Sequence, residues 1–228
     1  GIDEVPLLVL THFHADHVGG VSGVLAGRSV GSVLVSPLRD PPDQVGEVAA
    51  EVSGLTVADA VPGQTGQWGQ ASWRVLWPAE LITGEGSDAN NASIVLLVKV
   101  SGIRLLLTGD VEPAAQQAMI RDGAVPQADV LKVPHHGSKT STSLAFVQQV
   151  QPRVGIISTG AGNPFGHPHQ QVLDVLAQQG VAVWRTDEHG AITITSDGTG
   201  YRVSAVRLYR PVLPGHGQEV AYQAFHKE

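Results

Sequence analysis

Short apolar runs alternate with amphipathic stretches along most of the chain, a pattern typical of mixed α/β layers rather than of a helical bundle or a repeat array. Strand-like runs outnumber helix-like stretches. We predict strands over 5–11, 32–36, 71–77, 93–100, 103–108, 129–133, 154–158, 181–185, 191–195 and 201–206. We predict helices over 20–26, 44–52, 113–121, 143–151 and 168–179.

Local patterns refine this outline. The first run is almost continuously apolar, which is typical of a strand covered on both faces. Ser101-Gly102 between two strand-like runs predicts a tight antiparallel hairpin, and residues 81–91 form a polar loop. The pattern fades after Val206. We therefore expect one domain over 1–206 and a C-terminal arm or tail over 207–228.

Composition limits the chemistry available to this chain. With no cysteine among 228 residues, it has neither disulfides nor thiolate-ligated zinc, so any metal site is built from histidine and carboxylate side chains. No apolar run reaches the roughly 18–20 residues of a membrane span. The formal net charge of −7 argues mildly against a protein that holds nucleic acid by bulk electrostatics.

Three histidines and one aspartate fall within six residues directly after the first predicted strand. In an extended or turning segment, His12 and His14 can project the same way, and Asp16 and His17 can turn back as a helix starts. This set suits two adjacent divalent cations with nitrogen and oxygen ligands. The alternative, surface histidines of an ordinary loop, fits a lone histidine better than this density.

Two later predicted strands also end in metal-ligating residue types. One runs into Gly109-Asp110, and another runs into His135-His136. Asp110 is a candidate bridge between two cations, with the N-cap of the next helix as its alternative role, and one of the two histidines is a candidate ligand. Because α/β proteins place sites where strand ends converge, we expect these residues to meet at one sheet edge.

The polar segment beside the histidine pair offers groups that suit a phosphate. Charge and hydroxyl contacts are expected from Lys132, Ser138, Lys139 and Ser141, although an ordinary polar loop that caps the next helix explains the same residues equally well. His167 is a candidate proton donor to a leaving oxygen, or a helix-entry histidine held by Pro168. Tryptophans at 68, 73, 77 and 184 suit base stacking, but the strand-like runs around them favour the core.

Together, the motif from His12 to His17, Thr108-Gly109-Asp110 and a later histidine are similar to the metallo-β-lactamase superfamily. The fuller wording resembles the lactamase-like domain of ComEC-type channels, which take up transforming DNA in bacterial competence. This branch is favoured by Asn90-Asn91-Ala92-Ser93, Pro134-His135-His136-Gly137-Ser138 and Asn163-Pro164-Phe165-Gly166-His167-Pro168. The resemblance implies an α/β fold, an αββα sandwich that here lacks its first strands, because no Asp-Val-Gly-Gln-Gly-Asp-like segment precedes the histidine motif.

The resemblance also implies a ligand set for two divalent metal ions, Mn²⁺ or Zn²⁺, both of which suit histidine and aspartate. In this set, His12 and His14 bind one ion, and the other is bound by Asp16, His17 and His136. Asp110 bridges the two ions, and His135 is either an outer contact or an alternative ligand. Many superfamily members have a further metal-binding histidine before the Thr-Gly-Asp strand. Here Asn90-Asn91 lies at that place, so one ion is expected to bind weakly.

The activity implied by this resemblance is a nuclease in which a metal-bound hydroxide attacks DNA, with Asp16, Asp110 and His167 as catalytic residues. It would degrade the strand that is not imported during DNA uptake. Its partners would be DNA and the membrane channel domains of the same full-length protein, at the extracytoplasmic face of the bacterial cytoplasmic membrane. Two alternatives remain open: a small-substrate metallohydrolase, such as a lactonase or phosphodiesterase, and a non-catalytic module that positions DNA.

Overall fold

Three β-sheets organise the protein in the computed structural model, which describes residues 1–206 and, for the backbone alone, residues 220–226. The first sheet is fully parallel, in the order β1-β2-β3: β1 (Glu4–Leu10), β2 (Ser29–Val35) and β3 (Val57–Asp59). Helices α1 (Ala15–Val18) and α2 (Val21–Leu25) connect β1 to β2, and α3 (Pro42–Glu51) connects β2 to β3.

The second sheet has seven strands in the order β10-β9-β8-β7-β6-β5-β4. Its antiparallel half contains β4 (Thr65–Trp68), β5 (Ala71–Trp77), β6 (Val95–Val100) and β7 (Ile103–Leu107). Its parallel half continues from β7 through β8 (Val130–Lys132), β9 (Val154–Ile157) and β10 (Ala182–Arg185). The predicted hairpin between β6 and β7 is confirmed, with positive φ at Ser101 and Gly102.

Two sheets pack face to face, and helices cover their outer sides. Leu34 from the first sheet shares a buried cluster with Val75 and Leu96 from the second. The other face of the first sheet packs against its helices through residues such as Val33 and Val48. The outer face of the second sheet is covered by α5 (Pro113–Arg121), α6 (Leu144–Val150) and α7 (Gln170–Gln178). This layering confirms the predicted αββα sandwich.

The third sheet is an antiparallel set made of β11 (Ile192–Ser196), β12 (Gly200–Val206) and β13 (Val220–His226). Its Tyr201 and Val203 pack against Ile103, Val130 and Val154 of the second sheet. Of the predicted arm over 207–228, residues 207–219 and 227–228 lie outside the described residues. The division at residue 206 stays a prediction.

Several sequence-based expectations need correction. β1 was expected to be covered on both faces, but Leu10 is its only fully buried residue. Glu4 is exposed, and the five residues between them are partly buried. β3 and β4 were not predicted, since their exposed residues lack an apolar pattern. Two more short helices, α4 (Asp88–Asn91) inside the predicted loop and α8 (Thr186–His189), were also missed. Among the described residues, no helix is long and apolar enough to cross a membrane.

Candidate metal centre

Strand ends from both sheets deliver the predicted ligands to one edge. Beyond β1, the carbonyl of Thr11 accepts a hydrogen bond from the amide of Ile94 at 2.9 Å, which ties this strand end to the start of β6. The carbonyl of His14 then accepts from the amides of His17 and Val18, so the chain turns into α1 as predicted. β7 and β8 end at the same edge, just before Asp110 and the histidine pair.

Asp16, His17, Asp110 and His136 form one compact cluster in which each residue offers a ligand atom, all within 4.8 Å of one another. The Oδ2 atom of Asp110 lies 3.2 Å from Nε2 of His17 and 3.3 Å from Nε2 of His136. Nε2 of His136 also lies 3.2 Å from Oδ2 of Asp16. Asp110 is almost fully buried, whereas Asp16 is exposed, so the cluster joins the core to the surface.

His12 and His14 form a second pair beside this cluster. Nε2 of His12 lies 3.0 Å from Nδ1 of His14, and the His12 ring centroid lies 4.1 Å from that of His17. The structure therefore brings all six predicted inner ligands to one place. Their assignment to one ion or the other stays a prediction.

Two hydroxyl side chains hold these rings and were not predicted. Oγ1 of Thr11 lies 3.2 Å from Nδ1 of both His12 and His17. Oγ of Ser93 lies 3.2 Å from Nδ1 of His12 and accepts from the amide of Asp110 at 3.1 Å. Because the Nδ1 atoms are occupied by hydroxyls, the Nε2 atoms of His12 and His17 face the other ligands. Thr11 directly precedes the histidine motif and Ser93 ends the Asn90-Asn91-Ala92-Ser93 motif, and this is the only signal that the sequence offers.

The His135-His136 turn orients its second histidine through the backbone. Nδ1 of His136 donates a 2.7 Å hydrogen bond to the carbonyl of Ser158, just after β9, which directs Nε2 into the cluster. Both histidines have positive φ, 46° and 54°, a conformation that non-glycine residues seldom adopt. This local strain is consistent with a functional turn.

The electrostatics of the cluster follow from its shared contacts. Burial alone would raise the pKa of Asp110, but contacts to His136 and His17 outweigh it and hold that pKa far below its ordinary range. The contact to His136 also lowers the pKa of Asp16 to about 2. Asp110 and Asp16 raise the pKa of His136 to about 10, whereas burial and the nearby His17 lower the pKa of His12 to about 3.

A divalent cation fits this donor set. Among the described residues, the buried side-chain oxygens without a hydrogen-bond partner are Oδ1 of Asp110 and Oδ1 of Asn90, and both belong to this edge. Oδ1 of Asp110 lies 3.5 Å from the ammonium of Lys132 but has no hydrogen bond, and a buried carboxylate oxygen without one is costly unless a ligand satisfies it. The cluster supplies two carboxylates and two imidazoles, a combination that suits Zn²⁺ and Mn²⁺.

Glu112 is a site residue that sequence analysis missed. Its Oε1 accepts from Nδ2 of Asn90 at 2.9 Å and lies 3.6 Å from Nδ1 of His135. Its Oε2 accepts from the amide of Ser87 at 3.0 Å. Nε2 of His135 lies 3.9 Å from Oδ2 of Asp110, so the carboxylate of Glu112 supports a histidine that borders the cluster. Burial alone would raise the pKa of Glu112. The contacts that stabilise its carboxylate, of which the one to His135 is the largest, outweigh burial and lower that pKa below its ordinary value.

The alternative role of Asp110, the N-cap of the next helix, is filled by Glu112. Glu112 lies at the start of α5, two residues beyond Asp110. The helix-cap interpretation of Asp110 is therefore wrong, and the carboxylate is free to face the histidines.

The residues predicted to contact phosphate differ in their placement. Nζ of Lys132 donates to the carbonyl of Gly109 at 2.9 Å and lies 3.5 Å from Oδ1 of Asp110, and burial lowers its pKa. Ser138 is partly buried and Lys139 is exposed, both directly after the histidine turn. Ser141 is fully buried, and its carbonyl accepts from the side chain of Gln116, so its hydroxyl is not accessible to a bound phosphate. The predicted cap of α6 is confirmed at Ser143.

His167 lies at the mouth of the site. Its ring centroid is 5.9 Å from that of His135 and 6.5 Å from that of His136. Burial, followed by the three neighbouring histidines, lowers its pKa. The neutral ring therefore dominates at neutral pH, and the role of proton donor stays a prediction. The core interpretation of the tryptophans is confirmed for Trp77 and Trp184, whereas Trp68 is exposed.

Comparison with known proteins agrees with this architecture. The Lactamase_B family, described as the metallo-beta-lactamase superfamily, matches residues 1–161. A structural neighbour from Parabacteroides distasonis, provisionally described as a metal-dependent hydrolase, has a TM-score of 0.53 and 15% identity, with 79% of this chain and 76% of that chain covered. At this identity the likeness extends to the fold alone.

Two curated relatives match most of this chain. ComE operon protein 3 of Bacillus subtilis is 36% identical over 92% of this chain and 27% of its own length. Competence protein ComA of Neisseria gonorrhoeae is 28% identical over 92% of this chain and 28% of its own length. The chain thus spans about a quarter of the length of these relatives.

Proposed function

Because the chain belongs to the metallo-beta-lactamase superfamily, we propose that it is a divalent-metal-dependent nuclease that hydrolyses phosphodiester bonds in DNA. The observation that supports this most strongly is the cluster of Asp16, His17, Asp110 and His136 around a buried carboxylate whose Oδ1 has no hydrogen-bond partner among the described residues. These carboxylate oxygens and imidazole nitrogens come from elements far apart in sequence and lie within 4.8 Å of one another. A cation bound between them would be stabilised by all four donors at once.

In this proposal, two ions, Mn²⁺ or Zn²⁺, are held at the site. Asp16, His17 and His136 would hold one, His12 and His14 the other, and Asp110 would bridge them. Divalent ions there would lower the pKa of water and stabilise charge on a phosphoryl oxygen. Two divalent cations also outweigh two carboxylates, so the site can attract phosphate although the chain has a net charge of −7.

The remaining side chains position these donors. Thr11 and Ser93 fix the ring orientations of His12 and His17, and Ser93 also fixes the backbone at Asp110. The ammonium of Lys132, held by the carbonyl of Gly109, would stabilise the charge of Asp110 rather than reach out to substrate. Preorganised donors of this kind need little rearrangement during the reaction.

Substrate contacts would come from groups at the rim. Ser138 and Lys139 would contact a phosphate, and His167 would donate a proton to the leaving oxygen from the minor protonated fraction that its lowered pKa leaves at neutral pH. Because of its burial, Ser141 is not included.

DNA is the proposed substrate because one relative is named as a competence protein and because the sequence motifs resemble those of DNA-uptake channels. The biological role would be removal of the strand that is not imported. The partners would be DNA and channel domains of a longer protein, at the extracytoplasmic face of the cytoplasmic membrane.

The test is cleavage of end-labelled single-stranded and double-stranded DNA by metal-loaded protein, with His14→Ala and Asp110→Ala variants beside the wild type. We expect cleavage by the wild type and a loss of about 100-fold or more in both variants, with unchanged circular dichroism, because loss of a group that merely supports a ligand already costs roughly 10–100-fold. Unchanged cleavage by both variants would overturn the metal mechanism. Activity on a lactone or a model phosphodiester without DNA cleavage would instead support the small-substrate hydrolase. Failure to bind any divalent ion in calorimetry would support the DNA-positioning module.

A further inference from the structure

Phe165 is exposed next to the candidate metal centre. Its relative exposure is 71%, far above that of the core aromatics, and it lies in the segment between β9 and α7. An isolated exposed apolar residue is common on protein surfaces and needs no explanation by itself. The setting of Phe165 is less common, because its ring stacks on a histidine at the mouth of the site.

The backbone around Phe165 is firmly held. The side chain of Asn163 donates to the carbonyl of His167 at 2.7 Å and accepts from the amide of the same residue at 2.9 Å. The amide of His169 donates to the carbonyl of Gly137 at 2.9 Å, which ties the segment to the histidine turn. Gly137 is packed so closely that a Cβ atom there would lie 2.7 Å from Cβ of Pro168. The exposed ring is therefore presented from an ordered segment.

Three rings form a stepped series from solvent to the metal cluster. The centroid of Phe165 lies 5.7 Å from that of His167, with 27° between the ring planes. The centroid of His167 lies 6.5 Å from that of His136, with 13° between the planes. Neighbouring rings in this series are therefore close to parallel, and the outer one is largely exposed to solvent.

We propose that Phe165 is a base-stacking subsite, which holds a nucleobase of the DNA strand whose phosphate lies at the metal cluster. This inference rests on the proposed nuclease function and adds a substrate contact to it. Every base has a π-face, so stacking on Phe165 would favour unpaired strands and tolerate any sequence. The acidic chain also needs contacts that do not depend on charge, and an aromatic platform provides one.

The experiment compares Phe165→Ala, Phe165→Trp and the wild type on an oligothymidylate and on the same strand with abasic nucleotides around the scissile position. Trp68→Ala is the matched control, because Trp68 is an exposed aromatic at 61% on β4 and pairs with Ala71 near the start of β7, at the end of the sheet opposite to Asp110. We expect kcat/KM on the intact strand to fall about tenfold or more in Phe165→Ala, and to be retained in Phe165→Trp and Trp68→Ala. On the abasic strand, wild type and Phe165→Ala should be equal.

Wild-type cleavage with no loss in Phe165→Ala, or an equal loss on intact and abasic strands, would overturn the subsite while leaving the nuclease proposal intact. Absence of wild-type cleavage would overturn the nuclease proposal instead. In that case, the subsite is tested by binding, measured as the fluorescence anisotropy of a labelled oligothymidylate with metal-loaded protein. Weaker binding of the intact strand by Phe165→Ala, with no difference on the abasic strand, supports stacking, and equal binding of the intact strand by both proteins contradicts it.

Discussion

The Nε2 atoms of His17 and His136 lie 3.2 Å apart, although 119 residues separate these histidines in the chain. Both atoms also lie close to Oδ2 of Asp110, at 3.2 and 3.3 Å. Two imidazole nitrogens this close need a proton or a cation between them. In the metal-free protein, the carboxylates of Asp110 and Asp16 stabilise a proton on His136. A divalent cation would instead bind both imidazoles and the carboxylate of Asp110 together.

Asp110→Asn tests the role of the bridging carboxylate. The substitution preserves shape but removes the negative charge, so we expect metal affinity to fall about 100-fold or more, since changes to groups that merely support ligands cost roughly 10–100-fold. Calorimetric titration with Mn²⁺ and Zn²⁺ measures this. Asp43→Asn, at an exposed position in the first turn of α3, is the matched control and should bind like the wild type. Wild-type affinity in Asp110→Asn would contradict the assignment.

Metal binding should release a proton from His136. Its pKa is raised to about 10 in the metal-free protein, so the imidazole is protonated at neutral pH and must lose that proton to become a ligand. Asp16 and His12, with pKa values lowered to about 2 and 3, are already deprotonated. Metal affinity should therefore rise with pH between about 6.5 and 8, by up to about tenfold per pH unit. Calorimetry in buffers of different ionisation enthalpy counts the protons, and an affinity independent of pH would refute this account.

Glu112→Gln tests a positioning residue. The carboxylate accepts from Asn90 and faces His135, so its neutralisation should loosen both side chains and lower metal affinity by about 10–100-fold without a large change in melting temperature. The control is Glu80→Gln, whose carboxylate pairs with Arg121 on the surface. Inductively coupled plasma mass spectrometry after dialysis against limiting metal gives the readout independently of activity. Equal metal retention by Glu112→Gln and the wild type would exclude this role.

Gly109 should tolerate no side chain. Its φ is +53°, and a Cβ atom there would lie 2.8 Å from Cβ of Ser93. Gly69, with φ +56° and nothing within 4 Å, is the matched control for backbone strain alone. In urea denaturation of chelated protein, Gly69→Ala should lower the free energy of unfolding by about 1 kcal/mol, and Gly109→Ala by about 2–4 kcal/mol. Equal losses would show that the Thr-Gly-Asp turn has room to adjust.

The apolar runs predicted most of the strands and mixed α/β layers, whereas the αββα sandwich was implied by the resemblance of the histidine motif to the metallo-β-lactamase superfamily. The apolar pattern could not predict β3 and β4, whose mostly exposed residues pair with neighbouring strands but have no such pattern. Burial of β1 was overestimated because an apolar run does not specify how much of each face is covered.

For the site, histidine and aspartate at strand ends were enough to identify the cluster. Glu112 and Ser93 were missed since their roles depend on distances between segments that are far apart in sequence. Thr11 was missed although it lies beside the histidine motif, because its contacts to His12 and His17 depend on how the chain turns there. Ser141 belongs to the same polar run as Ser138 and Lys139, and only the structure reveals that it is fully buried and that its carbonyl accepts a hydrogen bond from Gln116.

The most direct test of the proposed metal-dependent nuclease is a titration of chelated protein with Mn²⁺, in which bound metal and cleavage of a labelled single strand are measured on the same samples. The predicted result is no cleavage in chelator, cleavage that rises in proportion to occupancy, and neither metal binding nor cleavage in Asp110→Asn at the same Mn²⁺ concentrations. Cleavage that persists in chelator, or that is retained in Asp110→Asn, would contradict the account.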